Sequence, residues 1–363
     1  MDAPARTAKR MEALLAMGFQ RVDASPVPTV AVPVAGSRHR ITASRPSMGT
    51  LVSVTAIARS RDFAEESVGR AFREMDRVVS LLNRHDPDSA VSALNQCGIL
   101  RGPPPEMSRV MRGALACSRL SGGAFDPTVQ PLVDRFRAMR TGPGPSLRTA
   151  ASHLTPSAPP SRQELLELLE LVDVGAVEMA PRAIRLRKEG MGLTLDGIAK
   201  GYVVDRMAGV LRGSGLTDFL INAGGDVRAA GRREDGRVWR VGIQDPRRQG
   251  PFPDVIALDG MAVATSGSYE IRFDPEGIHH HIVDSRSGSS PRLGLSVSVV
   301  APTAMEADAL ATSVFLMHPL AGAAFVDSLP QCACLIIDRH GRRVRSARWR
   351  STGTSSTLKA GTP

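Results

Sequence analysis

The sequence predicts an α+β fold built as one large domain. Strand-like runs and amphipathic helical segments are mixed along the 363 residues, without the regular strand–helix alternation of a parallel sheet. The apolar content of 42% provides for a substantial core at this length. Because aromatic residues make up only 4% of the chain, aliphatic side chains must fill most of that core.

The two ends of the chain differ in composition from its middle. Residues 1–45 are rich in Pro, Ala, Ser and Arg, which is typical of a poorly ordered leader or linker. Residues 346–363 are basic or polar and are expected to form a C-terminal tail. The folded domain is therefore expected to span residues 46–345.

The first elements of this domain are expected to be a strand and two helices. Residues 51–57 form an apolar strand-like run, and apolar residues at helical spacing over 68–82 predict an amphipathic helix. A second helix is predicted over 106–120, where a glycine pair follows as a stop signal. The Pro-, Ser- and Gly-rich stretch 141–160 predicts a surface loop.

The second half of the domain is expected to be richer in strands. Helical patterns occupy residues 162–172, 199–212 and 304–317. Five strand-like runs lie between them, at residues 184–186, 219–222, 238–243, 255–258 and 296–300, and a sixth follows the last helix at 335–338.

Charge and composition restrict the function classes. The formal charge is +10, and much of the excess lies in a basic C-terminal segment without an aromatic platform or a DNA-binding motif, so we expect no nucleic-acid partner. No apolar run reaches about 18 residues, so no transmembrane helix is expected. Cys332 and Cys334 alternate within an apolar strand-like run, which favours burial over metal binding.

The beginning of the sequence gives an expectation about the compartment. The apolar stretch 11–18 is short and is followed by polar residues rather than by a small-residue cleavage site. The sequence as written therefore predicts a cytoplasmic protein. If the true start encodes an export signal, a periplasmic or membrane-associated location is the alternative.

One predicted helix carries a candidate metal site. Thr303 and Glu306 form a capping box that marks its start. Asp308 and Thr312 are four residues apart and share one face. A carboxylate and a hydroxyl are hard oxygen ligands of the kind that Mg²⁺ uses, together with water and substrate phosphates. The alternative is a helix whose polar face carries Asp308 and Thr312 without binding a ligand, since the spacing would be the same.

A glycine-rich turn precedes the helix at 199–212. Gly197 and Gly201 would let the backbone approach a ligand closely, and Lys200 could pair with a phosphate. The turn has neither the Walker A order nor the GxGxxG spacing. An ordinary strand-to-helix turn with a solvent-facing lysine explains the same residues.

Three successive histidines lie at positions 279–281. On a strand, His279 and His281 would point one way and His280 the other. Zinc would need further ligands, and the cysteines are remote in sequence. The pattern favours one histidine in proton transfer or substrate contact, with a solvent-facing polar strand end as the alternative.

Taken in chain order, these segments resemble the FAD:protein FMN transferases, the ApbE-type family formerly called thiamine biosynthesis lipoproteins. The resemblance covers residues 45–345 and implies a single ApbE-like domain with its site in a central cleft. It also implies an Mg²⁺-dependent enzyme that attaches FMN from FAD to a Thr or Ser hydroxyl of a client flavoprotein and releases AMP. The matching segments are 48–50, 87–89 with 94–95, 122–128, 197–202, 222–226, 265–269, 281–284 and 301–312.

The resemblance also assigns roles to residues. Asp308 and Thr312 would ligate Mg²⁺, with the backbone carbonyl of Gly197 as a third ligand, and His281 matches a candidate for proton transfer. The positions that match flavin-nucleotide contacts are Met48, His85, Ala124, Phe125, Asp126, Thr194, Lys200 and Val283.

Two positions depart from the family pattern. Thr194 stands where the family usually has an aspartate, and an acid occurs instead at Asp196. His85 stands where an aromatic residue, often Tyr, is common. The sequence is also compatible with two other functions. One is a Mg²⁺-dependent FAD pyrophosphatase that uses water in place of the client, and the other is a flavin-binding protein without turnover.

Overall fold

A computed structural model describes residues 27–34, 36–139, 158–247, 252–292 and 294–352. These residues form an α+β domain, as the sequence predicts. The helices are α1 (Arg61–Leu82), α2 (Ala90–Cys97), α3 (Pro105–Leu120), α4 (Gln130–Arg137), α5 (Arg162–Glu170), α6 (Ala199–Gly213), α7 (Ala304–Phe315) and α8 (Pro319–Ser328). The strands are β1 (Thr29–Val34), β2 (Arg38–Ser47), β3 (Thr50–Ala58), β4 (Ile99–Arg101), β5 (Val177–Ala180), β6 (Ala183–Leu186), β7 (Asp218–Ala223), β8 (Asp226–Ala230), β9 (Trp239–Ile243), β10 (Asp254–Leu258), β11 (Ala262–Gly267), β12 (Gly294–Ala301), β13 (Ala333–Asp338) and β14 (Arg343–Arg345).

A nine-stranded sheet is the centre of the domain. Its strand order is β1-β2-β3-β7-β8-β11-β12-β13-β14, and every neighbouring pair is antiparallel. A three-stranded sheet, β4-β6-β5, and a two-stranded sheet, β10-β9, are separate from it. Antiparallel pairing of strands close in sequence explains why no regular strand–helix rhythm occurs in the sequence.

Different elements cover the two faces of the large sheet. Val52 and Val54 of β3 are fully buried in the main core, together with side chains of α1 and α6 such as Phe72 and Met207. On the opposite face, side chains of the β9–β10 sheet, including Trp239 and Ile256, pack against strands of the large sheet. Strands β8 and β11–β13 of the large sheet are thus buried on both faces, whereas its edge strands β1 and β14 are partly exposed.

Helices α6 and α7 are held in close contact. Gly201 lies where α6 crosses α7, and a Cβ at this position would lie 2.9 Å from the Cβ of Asp308. The carboxylate of Asp205 accepts hydrogen bonds from the backbone N–H groups of Ala304 (3.0 Å) and Met305 (2.9 Å). These bonds satisfy two free N–H groups of the α7 N-terminus and fix it against α6.

The helix start predicted at Thr303 is confirmed. The Thr303 hydroxyl accepts the Glu306 N–H at 3.2 Å, and the Glu306 carboxylate accepts the Thr303 N–H at 3.2 Å. This capping box sets the phase of α7.

The structure differs from the expected boundaries at both ends. Residues 29–47 overlap the segment expected to be a leader, yet they form β1 and β2 of the large sheet. Trp349, in the expected C-terminal tail, is only 5% exposed and donates a hydrogen bond from Nε1 to Asp254 (3.0 Å). The expected leader residues 1–26 and most of the expected loop 141–160 lie outside the described residues.

Within the described ranges, no helix combines the length and the apolar character needed to cross a bilayer.

Candidate active site

A cleft collects most of the residues singled out in the sequence. It lies between the start of α6, one face of α7, the end of β11 and the segments 125–129 and 281–283, and its enclosed volume is about 80 Å³. Nine of the twelve predicted site residues line it: Phe125, Asp126, Thr194, Gly197, Lys200, His281, Val283, Asp308 and Thr312.

Three of the lining residues, Gly197, Asp308 and Thr312, are the predicted metal ligands. Asp308 and Thr312 lie one helical turn apart on α7 and both face the cleft, as their spacing predicts. A Cβ on Gly197 would lie 2.9 Å from the Thr312 hydroxyl oxygen and 3.2 Å from the Phe125 ring. Glycine at position 197 therefore lets the backbone approach Thr312 closely. We call Asp308, Thr312 and Gly197 the oxygen corner.

The hydrogen bonds around the oxygen corner orient its side chains. One carboxylate oxygen of Asp308 accepts the Gly201 N–H at 2.9 Å, so the start of α6 holds this side chain in place. The hydroxyl groups of Thr312 and Ser266 are 3.3 Å apart. Both side chains thus have a defined direction before any ligand binds.

Buried charges surround the oxygen corner. Lys200 Nζ lies 3.3 Å from a carboxylate oxygen of Asp226, which is 1% exposed. Burial and the neighbouring Asp226 carboxylate raise the pKa of Asp308 well above its usual range. Burial alone would lower the pKa of Lys200, but the carboxylates of Asp226, Glu270 and Asp308 outweigh it and raise that pKa above its ordinary value. Lys200 is therefore firmly protonated.

The charge balance and donor set fit Mg²⁺. The raised pKa values of the buried Asp308 and Asp226 show that Lys200 alone does not offset the negative charge of the two carboxylates, which a divalent cation would do. Carboxylate, hydroxyl and carbonyl oxygens are the ligands that Mg²⁺ prefers. In the described part of the chain, no three His, Cys, Asp or Glu side chains converge on one metal position. The remaining ligands would have to be water and phosphate, as is usual for Mg²⁺.

His281 is the one member of the histidine triplet that faces the cleft. Its Nδ1 lies 3.3 Å from the Ile271 carbonyl, which leaves Nε2 as the acceptor nitrogen when Nδ1 carries the proton. Burial, followed by the repulsion of His280, lowers the pKa of His281 to about 4. His281 is therefore neutral at physiological pH and can accept a proton at Nε2, 4.0 Å from the Glu270 carboxylate.

The other two histidines pack into the protein. His280 is 1% exposed, bonds the Pro291 carbonyl through Nε2 (3.1 Å) and meets Phe315 edge to face. His279 stacks on Phe136 with ring centroids 4.7 Å apart. The three residues form no regular strand, since only an isolated bridge joins His280 to Arg272. Of the three histidines, His281 alone lines the cleft, and without a regular strand the expected alternation of the three side chains does not apply.

Thr194 and Asp196 occupy the position where the sequence departs from the family pattern. The Thr194 hydroxyl oxygen accepts the Asp196 N–H at 3.2 Å, and both residues line the cleft. The Asp196 carboxylate accepts the Arg84 Nε–H at 2.9 Å, and Arg84 also bonds Asp134 at 3.0 Å. The shifted acid is thus bound to an arginine, and Thr194 keeps its hydroxyl proton available for donation into the cleft.

Three predicted site residues lie elsewhere. Ala124 is buried in the core beside the cleft, and His85 lies behind Asp196, where Arg137 Nη1 approaches its ring nitrogens at 3.1 and 3.2 Å. Met48 lies at the β2–β3 turn, where Met48 and Gly49 both have positive φ (51° and 72°). Met48 lines a second cavity of about 660 Å³ rather than the cleft.

Three residues in or next to the cleft have no role assigned from the sequence: Ser266 and Glu270 line it, and Asp226 contacts Lys200 from outside it. Asp226, Glu270 and Ser266 belong to segments that match the family or follow one, but nothing in their spacing marks them. Asp226 is the first residue of β8 and reaches Lys200 across the sheet–helix contact. For Asp226, the only signal in the sequence is an acidic residue at the start of a strand. Its relation to the site is visible only once the fold places Lys200, from another element, beside it.

The family assignment rests on a profile match. The profile of the ApbE family matches residues 48–336, and the chain belongs to this family.

Named relatives and solved structures agree with this assignment. The FAD:protein FMN transferase of Treponema pallidum is 29% identical over 314 residues, which cover 78% of this chain and 82% of that protein. The one from Salmonella typhimurium is 28% identical and covers 84% of each chain. The crystal structure of the ApbE protein from Thermotoga maritima superposes with a TM-score of 0.72 at 30% identity, over 85% of this chain and 97% of that one. The flavin transferase ApbE from Vibrio cholerae superposes with a TM-score of 0.68 at 25% identity, over 91% and 98%.

Proposed function

We propose that this protein is an Mg²⁺-dependent FAD:protein FMN transferase that attaches FMN to a Thr or Ser hydroxyl of a client flavoprotein and releases AMP. The names of its relatives give the reaction class. The observation that carries the proposal is the meeting of the oxygen corner, the protonated Lys200 and the neutral His281 in one cleft.

The reaction exchanges one phosphorus–oxygen bond for another. The client hydroxyl oxygen bonds to the FMN-side phosphorus of FAD, the diphosphate bridge breaks, and its electron pair leaves with AMP. Mg²⁺ held by Asp308, Thr312 and the Gly197 carbonyl would supply positive charge to the diphosphate. Lys200 lies beside this position and stabilises the charge that develops on the phosphate oxygens.

His281 is suited to receive the proton of the client hydroxyl. Its Nδ1 is fixed by the Ile271 carbonyl, so Nε2 is the free base. The Glu270 carboxylate, 4.0 Å from Nε2, stabilises the imidazolium once the proton has moved. The cleft therefore holds a base of the right form.

The flavin nucleotide is expected to extend beyond the cleft. A volume of about 80 Å³ is well below the roughly 300–1,000 Å³ typical of ligand pockets. Phe125, Asp126, Thr194 and Val283 would contact the part inside the cleft, and Met48 the part that reaches the second cavity. Ala124 and His85 would act from behind, by supporting Phe125 and the Arg84–Asp196 pair.

The reaction can be tested by mass spectrometry. The enzyme is incubated with FAD, Mg²⁺ and a flavoprotein acceptor domain, and a covalent FMN mass increase on the acceptor is expected. Asp308→Ala should lower the transfer rate at least about 100-fold, because the oxygen corner loses its only carboxylate. Asp62→Ala, at an exposed position in the first turn of α1, is the matched control.

The possible outcomes separate the rival activities. Unchanged transfer by Asp308→Ala would contradict the metal role. Release of free FMN without the acceptor, at a rate comparable to transfer, would identify a pyrophosphatase. Intact FAD after prolonged incubation with Mg²⁺ and acceptor would identify a flavin-binding protein.

A further inference from the structure

We propose that the second cavity is the docking groove of the client: an extended client segment pairs with the outer edge of β9 and places an acidic side chain against Arg240. This inference rests on the proposed transfer reaction and states how its protein substrate is held. The partner it commits to is a peptide segment with a carboxylate near its acceptor hydroxyl.

The cavity borders the edge of β9 rather than one of its faces. Side chains alternate along a strand, so a cavity on one face would be lined by every second residue. Here the consecutive residues from Arg240 to Gln244 all line it. Residues 254–258 of β10 do not line it, which leaves the edge of β9 opposite β10 facing the cavity, while Phe252, just before β10, packs on Gly242 and also lines the cavity.

This edge of β9 is open to pairing. Within the described ranges, β10 is the only strand that pairs with β9. An unpaired strand edge presents N–H and C=O groups that an extended peptide can match by adding one more strand. Leu220, Val227 and Val263 line the same cavity and offer apolar contacts to the peptide's side chains.

Arg240 gives the groove its charge preference. It lines the cavity, and its Nε is buried without a hydrogen-bond partner among the described residues. A buried guanidinium N–H that lacks an acceptor costs free energy, which a carboxylate in the groove would recover. The geometry thus favours an acidic client side chain at this point.

The groove leads directly into the catalytic cleft. Lys200, Thr265 and Glu270 line both cavities, so a segment bound along β9 reaches the proposed phosphate site without leaving the protein. Gln244, which follows the end of β9, is exposed and gives the segment an entry from solvent. The part of the cavity near Met48 remains for the flavin nucleotide.

The test separates client binding from FAD binding. FMN transfer is measured on an intact flavoprotein acceptor domain while the concentrations of acceptor and FAD are varied independently. Arg240→Ala should raise the KM for the acceptor about tenfold, as expected for the loss of a charge-assisted hydrogen bond, and should leave the KM for FAD within about twofold. Arg237→Ala is the control, since Arg237 is an exposed arginine close to β9 that does not line the cavity.

A peptide series tests the charge preference. Synthetic peptides carry one threonine and a single aspartate that is moved along an otherwise neutral sequence. The wild-type enzyme should prefer one aspartate position, Arg240→Ala should lose that preference, and Arg240→Glu should transfer best to the peptide with lysine at the same position.

Each contrary result has a distinct meaning. Equal acceptor KM values for the wild type and Arg240→Ala, or a rise confined to the KM for FAD, would overturn the docking proposal while transfer itself stands. Absence of transfer by the wild type would instead overturn the proposed function. If Arg240→Ala fails to fold, a benzoylphenylalanine at position 244 decides: cross-linking to the peptide supports the groove, and its absence contradicts it.

Discussion

His281 is neutral because of where the chain places it. Burial is the largest cause of its low pKa, and the neighbouring His280 adds repulsion. Its Nδ1 is occupied by the Ile271 carbonyl, so tautomer and direction are set together. At this scale the spacing of the residues favours one histidine of the three for chemistry without choosing it, and the family resemblance points to His281. The fold places His281, and neither His279 nor His280, in the lining of the cleft.

This environment predicts an unusual pH profile. A base must be unprotonated to act, and a pKa of about 4 keeps His281 in that form as the pH falls. An imidazole with the ordinary pKa would lose activity about tenfold per pH unit below about pH 6.5. At a saturating Mg²⁺ concentration, which keeps the Asp308 carboxylate ionised, we expect kcat/KM for transfer to stay nearly flat from about pH 8 down to about pH 5.

The control for this profile is a histidine far from the cleft. His340→Gln, at an exposed position, should reproduce the wild-type profile, whereas His281→Gln should lower kcat about 100-fold or more at every pH. A decline that begins near pH 6.5 in the wild type would show that His281 is not the base or is not neutral.

The contact between α6 and α7 builds the oxygen corner. The sequence predicts both helices, and the capping box predicts the start and the phase of α7. It does not predict that Asp205 caps this start from α6, because that pairing joins residues about 100 positions apart. Spacing within one helix is local and can be read directly, whereas the approach of two helices depends on packing.

Two glycines of α6 give a matched prediction about this contact. A Cβ on Gly201 would press on the start of α7 and lie 2.9 Å from the Asp308 Cβ, whereas a Cβ on Gly209 would meet no atom within 4 Å. Gly201→Ala should lower the free energy of unfolding by about 1–3 kcal/mol or more through overpacking. Gly209→Ala should raise it by about 0.5–1 kcal/mol, because alanine favours the helix.

The measurement is chemical denaturation of both variants, followed by the transfer assay. If alanine had the same effect anywhere in α6, both variants would change the free energy of unfolding in the same direction, whereas we expect opposite signs. If Gly201→Ala were as stable as the wild type and as active, the close contact between α6 and α7 would not be needed for the oxygen corner.

At the scale of the molecule, the six strand-like runs predicted in the second half of the chain fall on strands, whereas β5, β8, β11, β14 and the strands at the start of the chain are not predicted. The predicted runs at 219–222, 255–258 and 335–338 lie within β7, β10 and β13. Strands β1 and β2 escape prediction because Pro, Arg and Ser interrupt their pattern, and much of their stability comes from pairing along the sheet. The composition of a segment alone therefore does not predict a strand, because pairing with the neighbouring strand supplies part of its stability.

At the C-terminal end, the environment of Trp349 likewise depends on its packing partners and not on the composition of its segment. It belongs to a segment whose composition predicts a tail, yet it packs against the side chains of β9 and β10 and bonds the buried Asp254. Burial alone would raise the pKa of Asp254, but hydrogen bonds from Ser351 and Trp349 outweigh it and lower that pKa. The C-terminal segment thereby holds the small sheet whose outer edge lines the second cavity.

Substitutions at Trp349 test this role. Trp349→Ala should lower the free energy of unfolding by about 3–5 kcal/mol through the cavity it leaves. Trp349→Phe keeps most of the packing and removes the donor to Asp254, so it should cost about 1–3 kcal/mol. Hydrogen exchange should show the added opening of Trp349→Ala concentrated in residues 239–243 and 254–258. If exchange rose equally throughout the large sheet, the C-terminal segment would stabilise the whole domain rather than this sheet.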